Sequence, residues 1–278
     1  MNAELLIMFT LGCDRAYLYA HPERELTSDE MNHYGEALAE RATGVPAQYI
    51  TGHQEFWGLD LIVSPAVLIP RPETEHVVEA VLELISKDGS EQSQEQEHKP
   101  RTGVSAPQRL RIVDVGTGSG AIALALAKEL PTAETHATDI SQEALQVARA
   151  NAARLDLASR IEFHQEDLLT GLPPAFFDFV VSNPPYVGES EEDSVQLEVR
   201  KFEPRNAVFA GPTGLEVIER LIPQAETVLR PGGWLVLEIS GTIAEAARRR
   251  LSGWTDVGLT NDLQGIRRVA TARKAWGF

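Results

Sequence analysis

Four consecutive residues, Asn183, Pro184, Pro185 and Tyr186, could hold the nitrogen of an amide or of a nucleobase amino group. Proline fixes its φ at about −65°, lacks an N–H, and forces the preceding residue into an extended shape. The Asn183 side-chain oxygen and the Pro184 carbonyl therefore remain as acceptors that no nearby N–H occupies. Together they could accept both hydrogens of one NH₂ group and stabilise the charge that develops as its nitrogen attacks an electrophile.

This turn directly follows Phe177–Ser182, whose β-branched and aromatic residues predict a buried strand. Ligands of open α/β sheets bind at the carboxyl ends of the strands, so the turn lies where a site is expected. Pro185 keeps the turn rigid, and Tyr186 offers a flat face against which a planar amide or base could stack. The alternative is a tight loop after a core strand, in which Tyr186 only packs.

A glycine-rich loop upstream predicts a nucleotide-type ligand. It consists of Gly116, Thr117, Gly118, Ser119 and Gly120. Glycines at alternate positions after a strand let the backbone approach a ligand and open the following helix. The same residues with Ala121 also satisfy the dinucleotide pattern, so the loop alone does not choose between NAD and S-adenosylmethionine.

Acidic residues at the strand ends bear on the choice between NAD and S-adenosylmethionine as the ligand. Asp114, just before the first glycine, would repel a pyrophosphate but suits a ligand with a sulfonium and an ammonium group. A buried acid that orients the loop is an equally compatible role. Asp139, 19 residues beyond Gly120, is placed to accept hydrogen bonds from ribose hydroxyls, or else to cap the next helix. Asp167 and Leu168 are expected to flank the adenine.

The composition is that of a globular protein of 278 residues with a net charge of −16. Residues 1–70 contain ten acidic side chains and three arginines, a balance that disfavours direct binding of nucleic acid. Cys13 is the only cysteine, which fits a reducing cytoplasm. No apolar run reaches the roughly 20 residues of a membrane span. The seven histidines are scattered, and no metal site is expected.

Two domains are expected to position these groups. Residues 1–70 predict a small helical domain with a β-hairpin linker at Phe56–Val63, and a helix cap at Thr27–Glu30. Residues 71–278 form the second domain. It begins with a stiff proline segment and a helix over Glu75–Ser86, followed at 87–108 by a polar insertion expected to be disordered.

From residue 110 onward, strands alternate with helices, which predicts an α/β fold with a mostly parallel sheet and an antiparallel C-terminal hairpin. The predicted strands are Leu110–Val115, Thr135–Thr138, Ile161–Phe163, Phe177–Ser182, Trp234–Ile239, Thr255–Leu259 and Arg267–Thr271, and the predicted helices are Ala121–Leu130, Glu143–Leu155 and Gly214–Leu229. The stretch from Tyr186 to Pro212 is predicted to be a long loop, and Arg230–Gly233 a turn.

These residues resemble the release factor glutamine methyltransferases, the PrmC/HemK family, over nearly the whole chain. The resemblance is carried by Pro46–Gly52, Glu55–Gly58, Leu68–Glu75, Asp114–Gly120, Asn183–Tyr186 and Phe202–Pro204. Asn-Pro-Pro-Tyr alone is shared with N-methyltransferases that act on DNA, RNA and other proteins. The Ile-Pro-Arg-Pro-Glu-Thr-Glu segment, combined with a helical N-terminal domain, is more specific.

The resemblance implies a class I methyltransferase fold, S-adenosylmethionine as the methyl donor, and class I peptide chain release factors as partners bound by the N-terminal domain. Transfer would be to the side-chain amide of the glutamine in their Gly-Gly-Gln motif. Gly116–Gly120, Asp139 and Asn183 would then contact the donor, and Asn183–Tyr186 the glutamine. Relatives usually have another helix before Ala3–Leu11, so this N-terminus is expected to be short.

Two alternatives remain open at the level of sequence. One is a nucleic-acid amino-group N-methyltransferase, which would use the same turn on a flipped base. The other is a non-catalytic protein that binds the nucleotide as a signal.

Overall fold

A computed structural model describes residues 2–96 and 109–276, beginning with four helices. These are α1 (Asn2–Leu11), α2 (Arg15–Ala20), α3 (Ser28–Ala42) and α4 (Ala47–Thr51). The predicted cap opens α3, since the Thr27 side chain accepts from the Glu30 N–H and the Glu30 carboxylate accepts from the Thr27 N–H. The helices bury Leu6 and Ala37, but Phe9 and Met31 are half exposed.

The predicted hairpin follows as β1 (His53–Phe56) and β2 (Leu59–Ile62). Its two turn residues, Trp57 and Gly58, both have positive φ, the conformation that matches the twist of paired strands. Asn151 holds the hairpin against the rest of the molecule. Its side chain donates to the Ile62 carbonyl over 3.0 Å and accepts from the Ile62 N–H over 2.7 Å.

The proline segment makes one 3₁₀ turn at Pro72–Thr74 and continues into α5 (Glu75–Gln96). The helix therefore runs past the predicted end at Ser86, and the first part of the predicted disordered insertion is helical. Residues 97–108, the remainder of that predicted insertion, lie outside the described residues.

The rest of the chain alternates strands and helices. In chain order the elements are β3 (Arg111–Val115), α6 (Ala121–Glu129), β4 (Glu134–Asp139), α7 (Gln142–Arg154), β5 (Ile161–Gln165), β6 (Phe177–Ser182), β7 (Val187–Gly188), α8 (Leu197–Phe202), α9 (Arg205–Val208), β8 (Phe209–Gly211), α10 (Glu216–Val228), β9 (Leu229–Glu238), α11 (Ala244–Arg250), β10 (Thr255–Asn261) and β11 (Arg267–Arg273).

A seven-stranded sheet, in the order β10-β11-β9-β6-β3-β4-β5, forms the centre. Strands β9, β6, β3, β4 and β5 are parallel, and β11 runs antiparallel to both β9 and β10. This confirms the predicted mostly parallel sheet with its antiparallel C-terminal hairpin. The chain moves outward from β3 through β4 to β5 and then returns to place β6 on the other side of β3. Such a reversal is where open α/β sheets bind ligands.

Two hydrophobic cores cover the two faces of the sheet, because successive strand residues point to opposite sides. Ile112 and Phe179 pack on one face with α5, α6 and the hairpin, whereas Val113 and Val180 pack on the other with α10 and α11. The helices on both faces hold the strand ends in place. Among the described residues, no helix combines the length and apolarity needed to cross a membrane.

Two local predictions are wrong. The stretch after Tyr186 is not one long loop, since it contains α8, α9 and the short β7–β8 pair. Arg230–Gly233 belongs to β9, because the N–H of Gly232 and the carbonyl of Gly233 bond to Lys274 beside β11. Both misassigned segments depend on partners that are distant in sequence.

Candidate active site

A cavity of about 550 Å³ opens at the carboxyl ends of β3, β4, β5 and β6. Residues that directly follow each of these strands line it, together with Pro65–Leu68, Pro70 and part of the segment around α9. The cavity thus lies at the point where the strand order reverses, as the sequence predicts for a ligand site.

The glycine loop forms one wall of the cavity. Gly116 and Gly118 have φ of 70° and 55°, and a Cβ added to either would meet no protein atom within 4 Å. A Cβ on Gly120 would instead press on Leu124 at 3.1 Å and Ala148 at 3.3 Å. The first two glycines leave the backbone open to a ligand, and the third allows α6 to pack against α7.

Asp114 is buried beneath this loop and shapes it. Its Oδ2 accepts from the Thr117 hydroxyl over 2.6 Å and from the Ala123 N–H over 3.1 Å. Its Oδ1 is buried without a hydrogen-bond partner in the described chain. Burial raises the pKa of Asp114 to about 7, although the two hydrogen bonds oppose the shift. These two hydrogen bonds fit the predicted loop-orienting role.

Asp139 ends β4 and lies on the cavity wall. Its Oδ2 accepts from the Gly118 N–H and its Oδ1 from the Ser141 N–H, each over 2.9 Å. Ser141, not Asp139, is the N-cap of α7, so the capping alternative for Asp139 is wrong. Burial raises the pKa of Asp139. Each carboxylate oxygen keeps a further lone pair for a ligand hydroxyl.

Asp167 and Leu168 follow β5 and line the cavity, where the sequence predicts them. The Asp167 carboxylate is paired with Arg220 of α10, which also lines the cavity. Sequence reasoning missed Ile140, whose side chain is 59% exposed on the same wall. Its only signal in the sequence is its place directly after the strand-end acid.

The four residues of the Asn183–Tyr186 turn differ in their burial and in their contact with the cavity. Asn183 and Pro185 line the cavity together with the glycine loop, whereas Pro184 is buried. Tyr186 is not among the lining residues: its ring packs against the core, and its hydroxyl donates to Glu238 Oε1 over 3.1 Å. Burial raises the pKa of Tyr186. The ring thus contacts the core, and its role as a stacking face for a ligand stays a prediction.

The orientation of the Asn183 amide depends on Thr74, in the proline segment. Asn183 Nδ2 donates to Thr74 Oγ1 over 3.0 Å. No hydrogen bond from the described part of the chain occupies Asn183 Oδ1. The amide oxygen is thus the free end of this side chain, as an acceptor for a substrate NH₂ group requires.

Residues of the Phe202–Pro204 and Pro46–Gly52 motifs hold the segment Pro65–Pro70 over the cavity. Glu203, a buried acid between α8 and α9, accepts from the Ile69 N–H over 3.1 Å and pairs with Arg71. The Tyr49 hydroxyl donates to the Val67 carbonyl over 2.7 Å. The Phe202–Pro204 and Pro46–Gly52 motifs thereby fix one wall of the site.

The histidines are not all scattered, which corrects the sequence interpretation. His136 Nδ1 lies 3.0 Å from His164 Nε2, with ring centroids 5.3 Å apart and planes 10° apart. Nearly coplanar rings that meet nitrogen to nitrogen form a hydrogen bond, in which one ring donates and the other accepts. Glu134 lies 3.2 Å from His136 Nε2, which favours a proton there. These residues are outside the cavity lining.

Two protein-family models match this chain. The family described as a methyltransferase small domain matches residues 103–201, and the family described as a PrmC N-terminal domain matches residues 1–52. A release factor glutamine methyltransferase of Koribacter versatilis is 53% identical, over 99% of this chain and 91% of its own length. The protein of the same name from Moorella thermoacetica is 43% identical, over 89% of this chain and 81% of its own.

Solved structures share the fold at low identity. The hMettl16 catalytic domain, in complex with a MAT2A 3′UTR hairpin, superposes with a TM-score of 0.58 at 20% identity, over 84% of this chain and 81% of its own. A methyltransferase from Pyrococcus furiosus gives 0.53 at 19% identity, over 88% of this chain and 98% of its own. At this identity the likeness concerns the fold alone.

Proposed function

Because the chain belongs to the family of release factor glutamine methyltransferases, we propose that it methylates the N5 amide nitrogen of the glutamine in the Gly-Gly-Gln motif of class I peptide chain release factors. S-adenosylmethionine is the methyl donor in this proposal. One observation supports it above all. The Asn183 turn and the Gly116–Gly120 loop line the same cavity, and the class I methyltransferase fold surrounds that cavity.

The residues of the cavity fit such a donor. The open space over Gly116 and Gly118 admits a ligand against bare backbone, and Asp139 offers carboxylate lone pairs at the next strand end. Ile140 gives an apolar flank for an aromatic base, beside Asp167 and Leu168. The donor supplies a methyl group made electrophilic by its sulfonium. Thr117 and Ser119 complete the loop that would hold it.

At the acceptor side, Asn183 Oδ1 and the Pro184 carbonyl would each accept one hydrogen of the glutamine amide. Fixing both hydrogens orients the nitrogen lone pair and favours the positive charge that builds on it. Alignment of two reactants can by itself contribute about 7–11 kcal/mol. Pro185 borders the substrate, and Tyr186 supports the turn through its bond to Glu238.

We assign residues 1–70 to partner binding and residues 71–278 to the chemistry. The match of residues 1–52 to the PrmC N-terminal domain supports this division. The half-exposed Phe9 and Met31 provide apolar surface on the helical part. Because release factors act in translation, we propose that the reaction takes place in the cytoplasm.

Methylation of purified substrates tests the proposal. The protein is incubated with labelled S-adenosylmethionine and a class I release factor, and the modified residue is mapped by mass spectrometry. We expect one methyl group on the glutamine of Gly-Gly-Gln and none on a factor in which alanine replaces that glutamine. DNA and RNA are offered in parallel reactions. Label in nucleic acid alone would overturn the proposal and favour the alternative activity on base amino groups.

A further inference from the structure

Three side chains near the β5 edge of the sheet bring metal-binding atoms together outside the cavity. His136 of β4 is paired in register with Glu162 of β5, and His164 lies two residues further along β5. Because side chains two residues apart on a strand point to the same face of the sheet, the three side chains converge. His136 Nδ1, His164 Nε2 and a Glu162 carboxylate oxygen all lie within 4.8 Å of one another.

The separations between these atoms are close to those that a single metal ion requires. His136 Nδ1 is 3.0 Å from His164 Nε2, and the Glu162 carboxylate oxygens lie 3.8 Å from the first nitrogen and 3.7 Å from the second. Two ligand atoms that are each about 2.0–2.1 Å from a tetrahedral zinc ion are about 3.3 Å apart. Each separation therefore needs to change by only about 0.5 Å or less to admit the ion. Two imidazoles and one carboxylate, with water as the fourth ligand, are an established donor set for zinc.

A fourth residue, Glu134, prepares the His136 ring to act as a ligand. Glu134 Oε1 lies 3.2 Å from His136 Nε2, so the ring keeps a proton on Nε2 and a lone pair on Nδ1, the atom that faces His164. Metal-binding histidines almost always donate their other ring N–H to an acceptor of this kind. The rings of Phe176 and Phe177 lie perpendicular to the His136 ring, which is 7% exposed. The orientation of this ligand is therefore fixed by its surroundings.

We propose that His136, His164 and Glu162 bind a divalent transition-metal ion, and that Zn²⁺ suits this donor set. In the structure the two rings share one hydrogen bond, whose proton belongs to His164 Nε2 because Glu134 holds the His136 proton on the opposite nitrogen. Movement of that proton to His164 Nδ1 gives the other neutral tautomer and frees both facing lone pairs for the ion. Glu162, whose side chain is 67% exposed, supplies negative charge and leaves the fourth position open to water.

The bound ion fastens the edge strand of the sheet to its neighbour. β5 is the last strand of the sheet and lies beside β4. Asp139, at the end of β4, and Glu166–Leu168, directly after β5, line the cavity. Metal that binds the folded chain therefore stabilises it and steadies one wall of the cavity, but takes no part in methyl transfer. Because the ligands lie outside the cavity lining, the metal site stands independently of the proposed function.

Metal titration of the untagged, full-length protein tests the site. The protein is treated with EDTA, dialysed and titrated with Zn²⁺ in a calorimeter. We expect the wild-type protein to bind one ion per chain with a Kd in the micromolar range or below, and Zn²⁺ to raise its Tm. His164→Ala removes a ligand and Glu134→Ala removes the acceptor that orients His136. Each should weaken Zn²⁺ binding at least about tenfold.

Two further variants complete the test. Glu162→Gln changes a side chain that is mostly exposed, so it should leave the fold intact and still weaken Zn²⁺ binding. His76→Ala is the matched control, since His76 Nδ1 also lies 2.7 Å from a carboxylate, that of Glu79, but belongs to no three-ligand group in the described part of the chain. This control should bind Zn²⁺ as the wild-type protein does.

Two results would overturn the metal site. One is the absence of saturable binding by the wild-type protein up to millimolar Zn²⁺. The other is equal Zn²⁺ affinity of His164→Ala, Glu162→Gln and the His76→Ala control. Failure of the proposed function is distinguished from both, because it would appear as a lack of methylation while Zn²⁺ binding is retained.

Discussion

Glu203 and Arg71 form an ion pair that joins the Phe202–Pro204 motif to the proline segment over the cavity. The Glu203 side chain is 1% exposed, and that of Arg71 is 34% exposed. The same carboxylate accepts from the buried Ile69 N–H over 3.1 Å. Two motifs that are 132 positions apart in the chain therefore meet at one side chain.

Removal of the Glu203 carboxylate should loosen the wall that Pro65–Pro70 forms. We expect Glu203→Ala to lower the free energy of unfolding by about 1–3 kcal/mol, because it leaves the buried Ile69 N–H without an acceptor. The donor Kd should rise as well. Chemical denaturation and calorimetric titration measure the two effects. Glu192→Gln, in the exposed pair with Arg205, is the control and should leave the free energy of unfolding nearly unchanged, because solvent screens that pair. Equal stability of the two variants would refute the assignment.

A methyl group on Gly118 should block donor binding. Its φ of 55° is in the left-handed region, so Gly118→Ala should cost roughly 1 kcal/mol of stability. Its Cβ would also occupy the open space of the cavity, and the donor Kd should rise at least about tenfold. Gly265→Ala is matched in backbone conformation, with φ of 79° and open space around its Cβ, but lies in the C-terminal hairpin. We expect it to lose similar stability and keep the donor Kd. Comparable donor binding by both variants would argue against a donor site at this loop.

Asp114 should make the folded protein less stable as pH rises. Its folded pKa of about 7 is above the ordinary value of 3.8, so between these values the folded state holds a proton that the unfolded state has lost. The free energy of unfolding therefore falls with rising pH across this window. Asp114→Asn removes that titration and keeps an acceptor for Thr117 and Ala123. Denaturation at pH 5 and pH 8 should show a smaller decline in the variant. Parallel declines would show that Asp114 does not titrate in this range.

The sequence predicts those features of the site that local pattern determines. Alternate glycines after an apolar strand mark the loop at Gly116–Gly120, and the acid after the next strand marks Asp139. The Asn183 turn is equally visible, because its prolines fix the backbone without help from distant residues. The sheet follows from the alternation of apolar strands and amphipathic helices, and its order confirms the prediction.

The rest depends on contacts between distant residues. Thr74 is 109 positions from Asn183, Tyr186 is 52 from Glu238, and His136 is 28 from His164. No periodicity in one segment can predict such a pair. The short helices α8 and α9, of six and four residues, are below the length at which a helical repeat is visible, so the sequence predicts a loop there. Tyr186 shows the same limit, since only tertiary packing decides whether its ring meets a ligand or the core.

The central claim is that Asn183 Oδ1 accepts a hydrogen bond from the acceptor nitrogen, and Asn183→Ala tests it. Methylation of a purified release factor is measured at saturating substrate, with the donor Kd determined by calorimetric titration. We expect kcat to fall at least ~10²-fold, as for loss of a fixed group at a reacting centre, while the donor Kd changes far less. Asn261→Ala, at the exposed end of β10, should keep full activity. A kcat for Asn183→Ala equal to that of the wild-type protein would contradict the account.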